Sequence, residues 1–150
     1  MSDRIPILLP LAVGTSAVVS TILVHAFALR ATVGVVRREE RLGHAGAGFW
    51  IDVGIVGAVL ALLLAAHLAE IGLWAVLFAL CGEFSELGAA YYHSAVNYTT
   101  LGYGDVIMSP AWRLLGPLEA TSGMLMFGVS TAIVFAVIQR LLQRRFAELR

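Results

Sequence analysis

The heptapeptide Thr99-Thr100-Leu101-Gly102-Tyr103-Gly104-Asp105 carries the residue types for one particular chemistry, the coordination of a dehydrated cation. A cation such as potassium sheds its water only where other oxygens replace it at little net cost. Rings of backbone carbonyls do this when successive C=O groups point at one axis. Regular structure built from L-residues cannot present them so, but glycines at alternate positions can, because positive φ carries no steric penalty for them. Gly102 and Gly104 supply that freedom, Thr100 adds a hydroxyl at the inner end, and Leu101 and Tyr103 contribute carbonyls. The Tyr103 ring is expected to point away from the axis and brace the loop, with Thr99 and Asp105 as flanking supports.

A second set of chemically capable residues is scattered through apolar sequence. His67 and Glu70 stand three residues apart, on one helical face, and Glu119 is buried in a later apolar run. Ionisable groups inside such runs are rare and point to function. With His93 they define an alternative reading, an intramembrane metal-site enzyme or sensor. No His-x-x-x-His pair and no nucleophile beside a base accompanies them, so a non-enzyme is the expectation. Two buried carboxylates would not both ionise. Glu70 and Glu119 are therefore expected to share a proton or pair with a histidine behind the heptapeptide, bracing it and lending pH sensitivity, or serving only as a neutral packing network.

The elements that must position these groups follow from hydropathy. The chain has 150 residues, 59% hydrophobic and 13% charged, far from soluble usage. Net charge is zero, which argues against nucleic acid, and Cys81 is alone, so no intrachain disulfide forms. Three apolar runs are long enough to cross a bilayer. The first, Ile5 to Leu29, carries His25 near its end, and its small residues Gly14, Ser16, Ala17 and Ser20 suit close helix packing. Ala26-Phe27-Ala28 imitates a cleavage site, but the run is longer than a signal sequence normally has. An arginine-rich loop with three glycines follows, then a run from Phe49 to Cys81. A shorter amphipathic piece, expected to be capped by Ser85 and to start at Glu86, leads down to the threonines. It is too short to span and suits a half-helix that re-enters on the same side. Ser109-Pro110 reads as the start of the third span, with an early bend at Pro117.

With the motif and its flanking helices in place, the chain resembles the potassium channel superfamily, whose signature is usually Thr-Val-Gly-Tyr-Gly-Asp; Leu101 stands at the Val position. The resemblance runs from about Phe49 to Arg140 and implies an all-α membrane protein: three transmembrane helices plus a re-entrant pore helix and a selectivity-filter loop, assembled as a homotetramer because one loop cannot encircle an ion. Residues 1–36 are then an additional N-terminal helix outside that plan, expected either to pack around the tetramer's outside or to act as a bare membrane anchor, and 37–48 a cytoplasmic loop. Residues 49–150 are the pore domain, with outer helix 49–81, pore helix 86–99, filter 100–104, inner helix 110–142 and a short basic tail.

The resemblance implies permeant potassium ions held by Thr100, Leu101, Gly102, Tyr103 and Gly104, with no cofactor and no small-molecule substrate, and membrane lipid as surroundings. Tyr92 and His93 stand where aromatics commonly brace the filter from the pore helix; Val96 replaces an acidic residue that some relatives carry. Gly123 and Gly128 keep the spacing of hinge glycines. Phe127, Thr131, Phe135 and Gln139 form one i, i+4 stripe suited to a wet cavity or gate, the alternative being that the phenylalanines face lipid. A pore-like regulatory subunit that does not conduct is the other alternative. Eight of the ten arginines fall in the first loop region or the tail, two segments separated by an even number of crossings. The positive-inside rule makes both cytoplasmic, which leaves the N-terminus outside and opens the filter outward from a cell membrane. Cleavage of the first helix would invert the pore.

Overall fold

The computed structural model describes residues 7–148; the start of the first run at Ile5 and Arg150 of the tail lie outside the described residues. Among the described residues there are four α-helices and no strand: α1 (Leu8–Arg41), α2 (Phe49–Leu80), α3 (Leu87–Tyr98) and α4 (Leu115–Glu148). Three are long and apolar enough to cross a membrane, Leu8–Arg41, Phe49–Leu80 and Leu115–Phe146, so the protein is a multi-pass, all-α membrane protein.

Helix ends differ from the hydropathy reading for local reasons. The first helix does not stop near Leu29 or residue 36 but continues to Arg41. Arg and Glu are good helix formers, and Arg38 and Arg41 in the last turn complement the dipole. Gly43, at φ +72, ends it: Gly43 N–H donates to Glu40 C=O and His44 N–H to Glu39 C=O, the two bonds of a Schellman cap. Gly82, at φ +77, closes α2 in the same way on Ala79 and Phe78. His25, expected near a helix end, lies well inside α1 and is buried, with Nε2 3.2 Å from Ser130 Oγ.

Ser85 does not cap α3. Glu86 takes the cap position in extended conformation, without a side-chain bond. Nor does α4 begin at Pro110. Ser109 is held instead by Glu83, whose carboxylate accepts from its N–H and its hydroxyl, both at 2.6 Å. A separate turn over 110–114 intervenes. Pro117 is thus the third residue of α4, within the first turn where no N–H has a helical partner, so it interrupts no bond.

The described residues fall into two compact units. The first takes the described part of Met1–Val24 with His67–Met126. Its core is Ala17, Ile71, Trp74, Phe78, Tyr98, Leu115 and Met126. Gly14 permits close approach of α1 to α4, since a Cβ there would lie 2.5 Å from Leu118 Cδ1. Ala17 and Thr21 continue that buried stripe, and the Thr21 and Ser122 hydroxyls meet at 3.0 Å. Ser16 and Ser20 turn their hydroxyls back onto their own helix.

The second unit takes His25–Ala66 with the described part of Phe127–Arg150, around Ala45, Ile55, Val59, Leu63, Val137 and Leu141. Its loop is tied to the end of α4. Asp52 accepts from Gly46 N–H (2.9 Å) and from Arg145 (2.8 Å), and Glu40 pairs with Arg140 at 2.6 Å. Gly46 is needed here, because a Cβ would fall 3.0 Å from the Arg145 backbone nitrogen.

Candidate functional site: a loop of open carbonyls on a braced half-helix

The loop that follows α3 has an alternating backbone. Thr100 has φ +60, Gly102 φ +61 and Gly104 φ +72. The two glycines were expected there. Thr100 was not, and a left-handed conformation costs an L-residue roughly 1–2 kcal/mol. Three bonds to the end of α3 hold it: Thr100 N–H donates to Asn97 C=O (2.8 Å), and Leu101 and Gly102 N–H both donate to Val96 C=O (2.9 and 3.2 Å). Among the described residues, no hydrogen bond reaches the carbonyl oxygens of residues 99–104. The N–H groups of Thr100, Leu101 and Gly102 are turned back, and the loop's carbonyls are left open.

Side chains alternate with the backbone. Thr100, Gly102 and Gly104 line a cleft of about 670 Å³ together with His93, Asn97 and Pro117. Leu101 and Tyr103 are exposed, Tyr103 at 67%. Tyr103 therefore does not brace the loop against its own chain. That work falls to other groups. Thr99 Oγ1 donates to Ala95 C=O at 2.7 Å, and Tyr92 Oη donates to Asp105 Oδ2 at 2.8 Å. The Asp105 bond pushes the Tyr92 pKa up, which keeps its hydroxyl a donor.

His93 holds the far end of the loop. Its Nδ1 lies 3.0 Å from Val106 C=O, which can only accept, so Nδ1 carries the proton. Nε2 lies 2.9 Å from the Asn97 amide nitrogen and accepts from it. Both ring nitrogens are thereby satisfied by the neutral tautomer, and burial pushes the His93 pKa down. The ring packs at 5.5 Å from Phe78 and 5.0 Å from Phe84.

The buried acids grip α3 from two helices. Glu70 of α2 accepts from Tyr98 Oη, and His67 Nδ1 lies 3.1 Å from that hydroxyl and 3.6 Å from Glu70 Oε2. Glu119 of α4 meets Ser94 Oγ at 2.5 Å, while Ser94 is also 2.8 Å from the Ile71 carbonyl. One hydroxyl proton cannot serve both bonds. The carbonyl can only accept, so Ser94 donates to Ile71 and the Glu119 carboxyl supplies the other proton. Glu119 is held as a neutral acid, which suits its fully buried position. His67, Glu70, His93 and Glu119 each have a bonding partner around α3: Tyr98 for the first two, Ser94 for Glu119, and the Val106 carbonyl and Asn97 for His93. Ser94, Asn97 and Tyr98 were missed. Ser94 and Tyr98 are an i, i+4 polar pair on an amphipathic half-helix, a signal that was available.

Gly123, expected to flex, sits buried where a Cβ would collide with the Tyr98 carbonyl oxygen. Its missing side chain lets α4 press on the end of α3. Gly128 has open space around it. Phe127, Thr131, Phe135 and Gln139 are all exposed on α4, and Thr131 Oγ1 donates back to Phe127 C=O at 2.9 Å.

Three long apolar helices with a half-helix too short to span and an irregular loop between the second and third define a pore-loop membrane protein. The sequence profile of the family described as "Ion channel" matches residues 64–140, just over half of the 150. The chain belongs to that ion channel family, with its two-helix, potassium-channel-type domain preceded by an additional N-terminal helix. Comparison with curated proteins and with solved structures returned no match.

Proposed function

We propose that this ion channel is potassium-selective and works as a homotetramer in the cell membrane, passing K+ passively through four copies of the Thr100–Gly104 loop. The observation that carries the reading is the loop's alternating positive φ at 100, 102 and 104 with no hydrogen bond to its carbonyls. Alternation of this kind is what turns successive C=O groups to one side, and unbonded carbonyls are free to replace a cation's water.

Assembly has its own argument. Irregular backbone at membrane depth is tolerated only when buried in protein or facing a water-filled path. In one chain the loop is exposed, along with Leu101, Tyr103 and Ile107. Neighbouring subunits would cover those side chains and leave the carbonyls on a shared axis; Tyr103 would find its brace there. Phe127, Thr131, Phe135 and Gln139, all exposed on α4, would serve as cavity lining and gate.

In this reading the N-terminus is outside and the C-terminus is cytoplasmic. Arginine distribution supports it, and so do the Arg140–Glu40 and Arg145–Asp52 pairs, which tie the first loop and the C-terminal end of α4 within one unit.

The deciding experiment is flux from liposomes holding the purified protein. Potassium flux well above sodium flux supports the reading. Equal flux of both ions would remove the selectivity, and no flux under any gradient would favour a non-conducting subunit.

A further inference from the structure

The second unit contains a cleft of about 300 Å³ between α1 and α4, walled by Thr32, Val36, Arg37 and Glu40 on one side and Ile133 and Arg140 on the other. We propose that this cleft is a binding site for one anionic glycerophospholipid, its phosphate at the arginines and an acyl chain against the apolar wall. The inference needs only that the chain is a membrane protein; it does not use the potassium reading.

Thr32 is the first observation. Thr21, Thr121 and Thr131 turn their hydroxyls onto a carbonyl one turn back, at 2.7, 2.8 and 2.9 Å. Thr32, 1% exposed at the wall of the cleft, has a buried hydroxyl with no hydrogen-bond partner. A buried donor without an acceptor is unfavourable, and an acceptor brought from outside the protein relieves it.

Charge is the second. Arg37 is exposed, and Arg140 and Arg144 lie 2.6 and 3.7 Å from the single carboxylate of Glu40. At the cleft itself two guanidiniums, Arg37 and Arg140, against the one carboxylate of Glu40 leave a net positive rim that fits a phosphate. A second copy docking here about a two-fold axis would bring the same arginines to the contact and be repelled by them.

Order along the helix is the third. Thr32 is five residues, or ~7.5 Å, deeper in α1 than Arg37. Guanidinium outermost, hydroxyl next and apolar wall beside it match phosphate, glycerol ester and acyl chain in sequence. The rim belongs to the arginine-rich end of the span, where anionic lipid is concentrated if that end is cytoplasmic.

The test is native mass spectrometry of the purified full-length protein titrated with phosphatidylglycerol, phosphatidylcholine or inorganic phosphate. The wild type should retain phosphatidylglycerol in preference to phosphatidylcholine and ignore free phosphate. Arg37→Gln and Thr32→Val should each weaken phosphatidylglycerol binding by about fivefold, one charge contact and one hydrogen bond respectively. Ala136→Trp, which fills the cleft, should abolish it; if that variant misfolds by circular dichroism, the other two decide. Arg38→Gln, exposed but off the cleft, should change nothing. Equal loss in Arg38→Gln would mean diffuse surface charge and overturn the site. Undiminished binding in Ala136→Trp would overturn it, as would retention of inorganic phosphate alone. So would a thiol at Ala136→Cys that stays protected in lipid-free protein, because another copy would then cover the cleft.

Discussion

Glu70 and Glu119 of the first unit and Glu40 and Asp52 of the second are held in opposite ways. In the first, Glu70, Glu119, Ser94 and Tyr98 are fully buried, and their bonds are side chain to side chain or side chain to a backbone carbonyl. In the second, Glu40 and Asp52 meet Arg140, Arg144 and Arg145, and the first two arginines are half exposed. Buried partners that lose each other pay the full desolvation cost, whereas exposed ion pairs add little because water and salt compete for them. Buried bonds therefore suit the place where a half-helix must not move. Exposed pairs suit a place where chain ends need only stay on one side of the membrane.

The sharpest way to break this contrast is at the loop itself. Gly102→Ala puts a Cβ on a residue at φ +61 and costs about 1–2 kcal/mol in each chain. Potassium selectivity or conduction should collapse in liposome flux; wild-type selectivity would sink the carbonyl assignment. Gly123→Ala comes next, since its Cβ would drive into Tyr98 C=O. Overpacking of this kind costs about 1–3 kcal/mol, so the protein's thermal midpoint should drop clearly. A free hinge would tolerate alanine.

Glu119 offers a paired test of the neutral acid. Glu119→Gln keeps a proton donor for Ser94 and should stay near wild-type stability, while Glu119→Leu strands that bond and should lose about 1–3 kcal/mol. Equal losses in both would mean that Ser94 depends on a carboxylate. His93 sets a pH dependence. Its folded pKa is lowered, so the unfolded chain binds its proton first and stability falls as pH drops below the ordinary histidine range. Thermal midpoints from pH 8 to 5 should show that decline, and His93→Gln should flatten it. The smallest effect belongs to the second unit. Arg140→Gln removes an exposed pair, and its thermal midpoint should match wild type within error. A large drop there would erase the distinction between the units.

The sequence by itself determined the class of this protein. Three apolar runs admit only membrane helices, because backbone groups in hydrocarbon must bond within their own segment. The run from Thr99 to Asp105 likewise announced its loop, since alternating glycines leave a mark that no packing is needed to read. Helix ends were less legible. The apolar run stops at Leu29, yet helix persists to Arg41, because Arg and Glu keep helical propensity while losing hydropathy, and the Gly43 cap decides the end. Tertiary structure alone decided the partners. That Glu119 meets Ser94 and not His93, that Glu83 draws Ser109 away from capping a helix, and that Gly123 is a contact with Tyr98 each depend on which faces of α2, α3 and α4 meet. Spacing along one helix gives a face but not the residue opposite it. Thr100's positive φ is of the same kind, imposed on an unwilling residue by bonds to Val96 and Asn97 that only the folded turn supplies.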